Sequence, residues 1–262
     1  MRSVGALEER LRARRDAGGK LLVPYVTGGM GDDWVDVVHA VADAGADAVE
    51  IGIPFSDPVM DGPTIQEASV RALARGTTPT SILAALSRTE FGIPLAVMTY
   101  YNPVFRAGHE RFADSLVAAG VAGAIVPDLP LEEAGGWSEV ADGAGVETVF
   151  LVAPITPDER ARRICERSRG FVYGIGLMGV TGERSQLAAT ARQLARRLAP
   201  MTDTPVCIGI GVSNPEQAAQ VCAEADGVVV GSALVRKLLD GGGPAAAGAF
   251  VAELRAGIDA VG

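Results

Sequence analysis

The residues in this chain that could do chemistry are its carboxylates. Only two histidines are present, His39 and His109, and the three cysteines, Cys165, Cys207 and Cys222, show no C-x-x-C spacing. A histidine triad, a zinc site and a disulfide framework are therefore poorly supplied, and the cysteines read as packing residues. The informative acid is Glu50. In Ala48-Val-Glu-Ile-Gly-Ile53, period-two alternation puts Val49, Ile51 and Ile53 on one face and Ala48, Glu50 and Gly52 on the other. A carboxylate set between two small neighbours on an interior face loses solvation, which raises its pKa and suits a group that both gives and takes a proton. The competing reading is a structural strut, but none of the apolar runs identified below carries a Lys or Arg to pair with it. The next segment, Pro54 to Pro63, holds three prolines with Asp57 and Asp61. Both aspartates read as turn formers, or, lying just beyond Glu50, at least one as a ligand for a substrate N–H or a developing cation. Thr64 to Glu67 reads as a capping box opening the following helix.

A second chemistry is written in glycine. Gly179-Val-Thr-Gly182, Gly209-Ile-Gly211 and Gly231-Ser232 follow or end the last apolar runs, and a short helix is expected from Ser232 to Leu239. Backbone amides at such turns, together with a helix N-terminus, hold a phosphate dianion without a basic side chain. Gly176, Gly179 and Gly182 make the segment after the sixth run a candidate lid. Tyr173, by its parity, faces the same interior as Glu50, as a substrate ligand or a core aromatic.

These groups need a scaffold, and counting the apolar runs identifies it. Leu21–Thr27, Ala48–Ile53, Pro94–Tyr100, Gly123–Asp128, Thr148–Ala153, Phe171–Gly176, Pro205–Gly211 and Gly227–Ser232 alternate with amphipathic stretches such as Asp33–Ala44 and Asp158–Ser168. Eight such units predict an α/β fold, a (β/α)8 TIM barrel, with extra helices near Ala6–Asp16, Thr80–Thr89 and Pro244–Val261, all in one domain spanning residues 1–262. Aromatics are only 5% of residues against 48% hydrophobic, so aliphatic layers must fill the barrel. The net charge of −9 opposes a nucleic-acid partner, and no apolar run of membrane-spanning length or signal core is present. A cytoplasmic enzyme is the expectation.

The stretches Glu50-Ile-Gly-Ile-Pro-Phe-Ser-Asp-Pro58, Asp61-Gly-Pro-Thr-Ile-Gln66 and Gly179-Val-Thr-Gly182 closely resemble the signatures of the tryptophan synthase alpha subunit family. The likeness extends in order through Pro24-Tyr-Val-Thr27, Tyr100-Tyr-Asn102, Val126-Pro-Asp-Leu-Pro130 and Gly231-Ser232. The resemblance implies retro-aldol cleavage of indole-3-glycerol phosphate to indole and glyceraldehyde 3-phosphate. It implies Glu50 as general acid/base and Asp61 as the ligand of the indole N–H. Tyr173 would line the site, Thr181 would bring the lid onto Asp61, and Gly182, Gly211, Gly231 and Ser232 would bind phosphate. Tyr25, Met98, Pro127 and Ile210 occupy the positions of an apolar indole slot.

No cofactor or metal is implied in this chain; pyridoxal phosphate is expected only in a beta subunit that would receive indole in an alpha-beta-beta-alpha complex, with Pro54 and Asp57 at the contact. The chain departs from the family pattern at Gly28-Gly-Met-Gly31, which predicts a pliant first loop, and at Gly174-Ile-Gly-Leu-Met178, before the lid. Three alternatives stand beside this reading: another phosphate-sugar barrel enzyme, a stand-alone indole-releasing lyase, and a non-catalytic activator of a beta-like subunit.

Overall fold

The computed structural model describes residues 4–176, 184–209 and 211–261. Eight parallel strands, β1 (Leu21–Thr27), β2 (Val49–Gly52), β3 (Leu95–Met98), β4 (Val121–Ile125), β5 (Glu147–Val152), β6 (Val172–Ile175), β7 (Val206–Gly209) and β8 (Gly227–Val230), form a closed barrel in chain order. β8 pairs back onto β1, with Leu21 opposite Gly227. The helices are α1 (Ala6–Asp16), α2 (Trp34–Asp43), α3 (Pro63–Ala74), α4 (Pro79–Leu86), α5 (Tyr101–Ala107), α6 (His109–Ala118), α7 (Gly135–Ala144), α8 (Asp158–Arg167), α9 (Arg184–Leu198), α10 (Pro215–Cys222), α11 (Ser232–Leu239) and α12 (Pro244–Asp259). Among the described residues, no helix is long and apolar enough to cross a membrane.

The strand alternation read from sequence separates two packed layers. Leu21, Val23, Ala48, Ala96, Ile125, Val149, Phe171, Cys207 and Val229 fill the barrel, and Leu7 and Leu11 of α1 join them from below. Val49, Ile51 and Ile53 pack instead in the outer layer between barrel and helices. The extra N-terminal helix is thus the floor of the barrel, which leaves the opposite end of the strands open for a site. Gly123 and Gly170 admit the floor: a Cβ at either would lie 2.8 Å or 2.7 Å from Leu7 Cδ2. The three cysteines are free and buried, as packing residues should be.

Several local expectations are corrected. Apart from β1, which fills its run, the strands end before their apolar runs do, because those last residues turn into the loops of the mouth. β4 begins at Val121, two residues before the expected start, and α5 was not expected from sequence. Thr64 does not cap α3; the helix starts at Pro63 behind Gly62, since proline fits the first helical position and needs no N–H partner there. The capping box forms one helix later, where Thr78 and Ser81 exchange side-chain and backbone hydrogen bonds ahead of α4. The first loop is tied down. Gly28 N–H donates to the Gly52 carbonyl at 2.9 Å, the Thr77 hydroxyl donates to the Gly29 carbonyl at 3.2 Å, and Met30 is buried. Gly29 has φ +73 and lies against the Thr77 side chain, so its glycine serves close packing.

Candidate active site at the barrel mouth

A cavity of about 350 Å3 opens at the C-terminal ends of the strands, where active sites of this architecture are built. Glu50 lies on its wall. β2 presents Glu50 inward between Tyr25 of β1 and Ala96 of β3, its register partners. The side chain is fully buried, and neither carboxylate oxygen has a hydrogen-bond partner. Burial, and secondarily the nearby Asp61, pushes its pKa up to about 8. No Lys, Arg or His is among the described residues lining the cavity, which removes the strut reading. An acid so placed holds its proton at neutral pH and can release it at little cost.

Two tyrosines reach into the cavity, and each depends on a glycine of the next strand. The Tyr25 hydroxyl rests on Gly52, where any Cβ would overlap it, and a Cβ on Gly209 would lie 2.6 Å from Cε2 and 2.8 Å from the hydroxyl of Tyr173. Burial raises the pKa of both phenols, so they stay neutral and keep their O–H donors. Small residues at the tops of β2 and β7 therefore have a steric reason: they let aromatic side chains lie across the inner wall.

Asp61 is brought to the rim of the same cavity by the segment Pro54–Pro63. Tyr100, at the end of β3, anchors this segment. Its hydroxyl accepts the Met60 N–H at 2.9 Å, engages the Asp61 side chain, and its ring stacks on Phe55 at a centroid distance of 5.1 Å. The Gln66 side chain, one turn into α3, donates to the Asp61 carbonyl at 2.9 Å. Burial raises the Asp61 pKa while the Tyr100 hydrogen bond pulls it down. Both carboxylates thus belong to one site, with Asp61 fixed by its neighbours and Glu50 left without a partner.

Gly211 with φ +62, Gly231 and Ser232 line the cavity where β7 and β8 end. Gly231 is the N-cap of α11, whose first-turn N–H groups lack intrahelical partners and suit an anion. Met98 and Pro127 complete an apolar wall. Thr181, Gly182 and Ile210 lie outside the described residues, as does the expected lid beyond Gly176, which itself lines the cavity. Pro54 is buried beneath its loop and does not line the cavity, so of the expected partner pair only Asp57 is exposed; the Ser56 hydroxyl donates to Asp57 at 2.5 Å. Sequence reasoning missed Leu151, Ile65 and Val229 of the cavity wall, and Tyr100 as the anchor of Asp61. Leu151 and Val229 were within reach, since each shares the inward parity of its strand; nothing in the pattern distinguished Tyr100 from a core aromatic.

The sequence profile of the family described as "Tryptophan synthase alpha chain" matches residues 11–252. The chain is 44% identical to the tryptophan synthase alpha chain of Thermobifida fusca over 97% of its own length and 98% of that protein. It is 46% identical to that of Streptomyces coelicolor over 91% of its length and 89% of the relative. Among solved structures, it superposes on a chain of Mycobacterium tuberculosis tryptophan synthase with a TM-score of 0.90 at 40% identity, covering 98% and 99% of the two chains. The tryptophan synthase alpha chain of Legionella pneumophila gives 0.86 at 33% identity, with 99% of both chains covered.

Proposed function

The chain belongs to the tryptophan synthase alpha chain family, and from that premise we propose that it cleaves indole-3-glycerol phosphate by a retro-aldol reaction in which Glu50 moves both protons. The observation that carries the reading is a fully buried, partnerless carboxylate in the same cavity as a glycine-lined helix N-terminus. The phosphate sits on the amides of Gly211, Gly231 and Ser232 at the start of α11, with Gly182 expected to join them. The indole ring lies against Tyr25, Met98, Pro127 and Tyr173, with Ile210 on the same wall and Thr181 closing over Asp61.

The proton inventory fits the resting state of Glu50. As the acid, it protonates the indole carbon that bears the glycerol chain, and positive charge develops at the ring nitrogen. Asp61, held by Tyr100, accepts the indole N–H and stabilises that charge. The Glu50 carboxylate then takes the proton from the adjacent glycerol hydroxyl. The carbon–carbon bond breaks, its electron pair returns to the ring, and indole and glyceraldehyde 3-phosphate result. Glu50 ends protonated, as it began, and no metal or cofactor in this chain is required by the sequence of steps.

We further propose that indole passes to a beta subunit, which supplies pyridoxal phosphate, within an alpha-beta-beta-alpha assembly. The M. tuberculosis relatives are described as tryptophan synthase. In support, Val59, Phe105 and Ile155 are large apolar side chains exposed at 74%, 66% and 75% on segments following β2, β3 and β5, alongside exposed Asp57. These segments all belong to the mouth. The test is indole release from indole-3-glycerol phosphate by the isolated chain, repeated with a beta subunit added. Measurable turnover alone and acceleration on addition are expected; no turnover in either condition would refute the reading.

A further inference from the structure

A second cavity, of about 460 Å3, adjoins the first. Met60, Pro127, Leu151 and Ile175 line both, so these four residues form the partition between them. Beyond the partition the second cavity leaves the barrel interior. Leu151 packs against the inner layer, whereas Val126, Phe150 and Ile164, which line the second cavity alone, belong to the outer layer between barrel and helices. This annex therefore passes over the rim of β4 and β5 into the space between β5 and α8. Its polar lining is already engaged within the fold. Asp128 accepts the Tyr101 N–H at 2.8 Å, the Thr156 hydroxyl accepts the Ala153 N–H at 3.1 Å, and Arg160 forks onto Glu132 at 3.1 and 2.9 Å. What the annex offers a ligand is apolar surface.

The position of the annex selects which part of a substrate could enter it. The proposed phosphate cradle follows β8, and β4 stands four strands away in either direction round the closed barrel. A substrate anchored by its phosphate at Gly231 turns its far edge toward Pro127, the residue of the partition that follows β4. In indole-3-glycerol phosphate that edge is ring carbons 5 and 6, because the glycerol phosphate leaves from carbon 3. We infer that the annex is a substituent pocket: the chain cleaves indole-3-glycerol phosphates that carry an apolar group on carbon 5 or 6, releasing the substituted indole by the same steps. The group displaces the Met60 side chain and lodges against Phe150 and Ile164. Met60 is the part of the partition suited to yield, since its side chain is half-buried and unbranched while its backbone N–H is fixed separately by the Tyr100 hydroxyl.

This inference rests on the substrate proposed above. The test is kcat/KM of the full chain for the 5- and 6-isopropyl derivatives, each divided by that for the parent substrate, so that a general loss of activity cancels. For at least one derivative the wild-type ratio is expected above about one-tenth, since an apolar pocket discriminates weakly against a group it has room for. Ala153 lines the annex and not the first cavity, so Ala153→Phe fills the annex alone. Parent turnover in that variant should hold within about twofold, which also shows that it is folded, while the ratio should drop about tenfold or more. Met60→Ala opens the partition and should raise the ratio, which keeps the test decisive should Ala153→Phe fail to fold. Wild-type ratios below about one-tenth for both derivatives, a ratio unmoved in folded Ala153→Phe, or one unmoved in Met60→Ala overturns the inference and leaves the slot closed at Pro127 and Leu151. The two levels separate cleanly: no turnover of the parent substrate removes the proposed function and the annex with it, whereas normal parent turnover with both derivatives rejected removes only the annex.

Discussion

The barrel buries a glutamate at each end, and the two are treated in opposite ways. Glu147, at the start of β5 on the floor, accepts the Leu7 N–H at 2.7 Å and the Glu8 N–H at 3.0 Å, the open first-turn amides of α1. Glu8 in turn accepts from Arg12 at 2.8 Å and from the Gly170 N–H at 3.2 Å. Burial raises the pKa of Glu147, but these amides pull against the rise. Glu50 at the mouth is as deeply buried and has none of this. A carboxylate that satisfies a helix N-terminus is a fastening, and one stripped of partners is a reagent. The same residue type therefore serves stability at one end of the strands and, in the function proposed above, proton transfer at the other.

The comparison breaks most easily at the mouth. Glu50→Gln keeps the shape and removes the proton, so indole release is expected to drop by on the order of 10³-fold or more. The fold should not suffer, since an amide costs less to bury than a partnerless carboxylate. Unchanged or higher thermal stability with activity abolished is the expected pairing. Near-normal turnover would remove Glu50 from the reaction, and a large loss of stability would make it a structural residue after all.

The floor should give the reverse. Glu147→Ala strands two buried amides of α1 and is expected to cost roughly 2–3 kcal/mol, read in urea unfolding. kcat for the fraction that remains folded should stay within about twofold of wild type, because the change lies at the other end of the barrel. A drop in kcat comparable to that of Glu50→Gln would mean that floor and mouth are coupled. A smaller variant of the same test is Gly123→Ala, which forces a Cβ to within 2.8 Å of Leu7 Cδ2 and 3.2 Å of the Glu147 carbonyl. It should loosen the floor by about 1–3 kcal/mol, again with catalysis intact.

Alternation alone was enough to assign the mouth carboxylate, and not the floor one. In Ala48–Ile53 the polar residue interrupts an otherwise apolar run, so period two places it inside and the absence of strand cations leaves it unpaired. Glu147 stands at the edge of its run, where a glutamate reads as solvated, and its partners are α1 amides some 140 residues away in sequence. Long-range capping leaves no local pattern. The eight-unit count gave the barrel for the same reason that it gave Glu50, since both rest on short-range periodicity. Pro63 was misread as loop because a proline-started helix needs no side-chain cap, and Tyr100 was passed over because its partners, Met60 and Asp61, belong to another strand's loop.

The finest test of the contrast is the pH dependence of stability. The Glu50 pKa, 4.5 unperturbed, rises to about 8 in the folded chain. A group that binds its proton more tightly when folded stabilises the fold fully below the unfolded pKa and loses that contribution as pH rises through the folded one. Wild type should therefore lose stability relative to Glu50→Gln between pH 4.5 and about 8, after which the difference levels off. Melting temperatures of the two proteins across that range check it, each kcal/mol appearing as roughly 2–4 °C at this chain length. Both proteins keep Glu147, so its titration cancels in the difference and the signal belongs to the mouth alone. A flat difference would mean that Glu50 finds a partner or water in solution, and that its readiness to exchange a proton comes from the bound substrate.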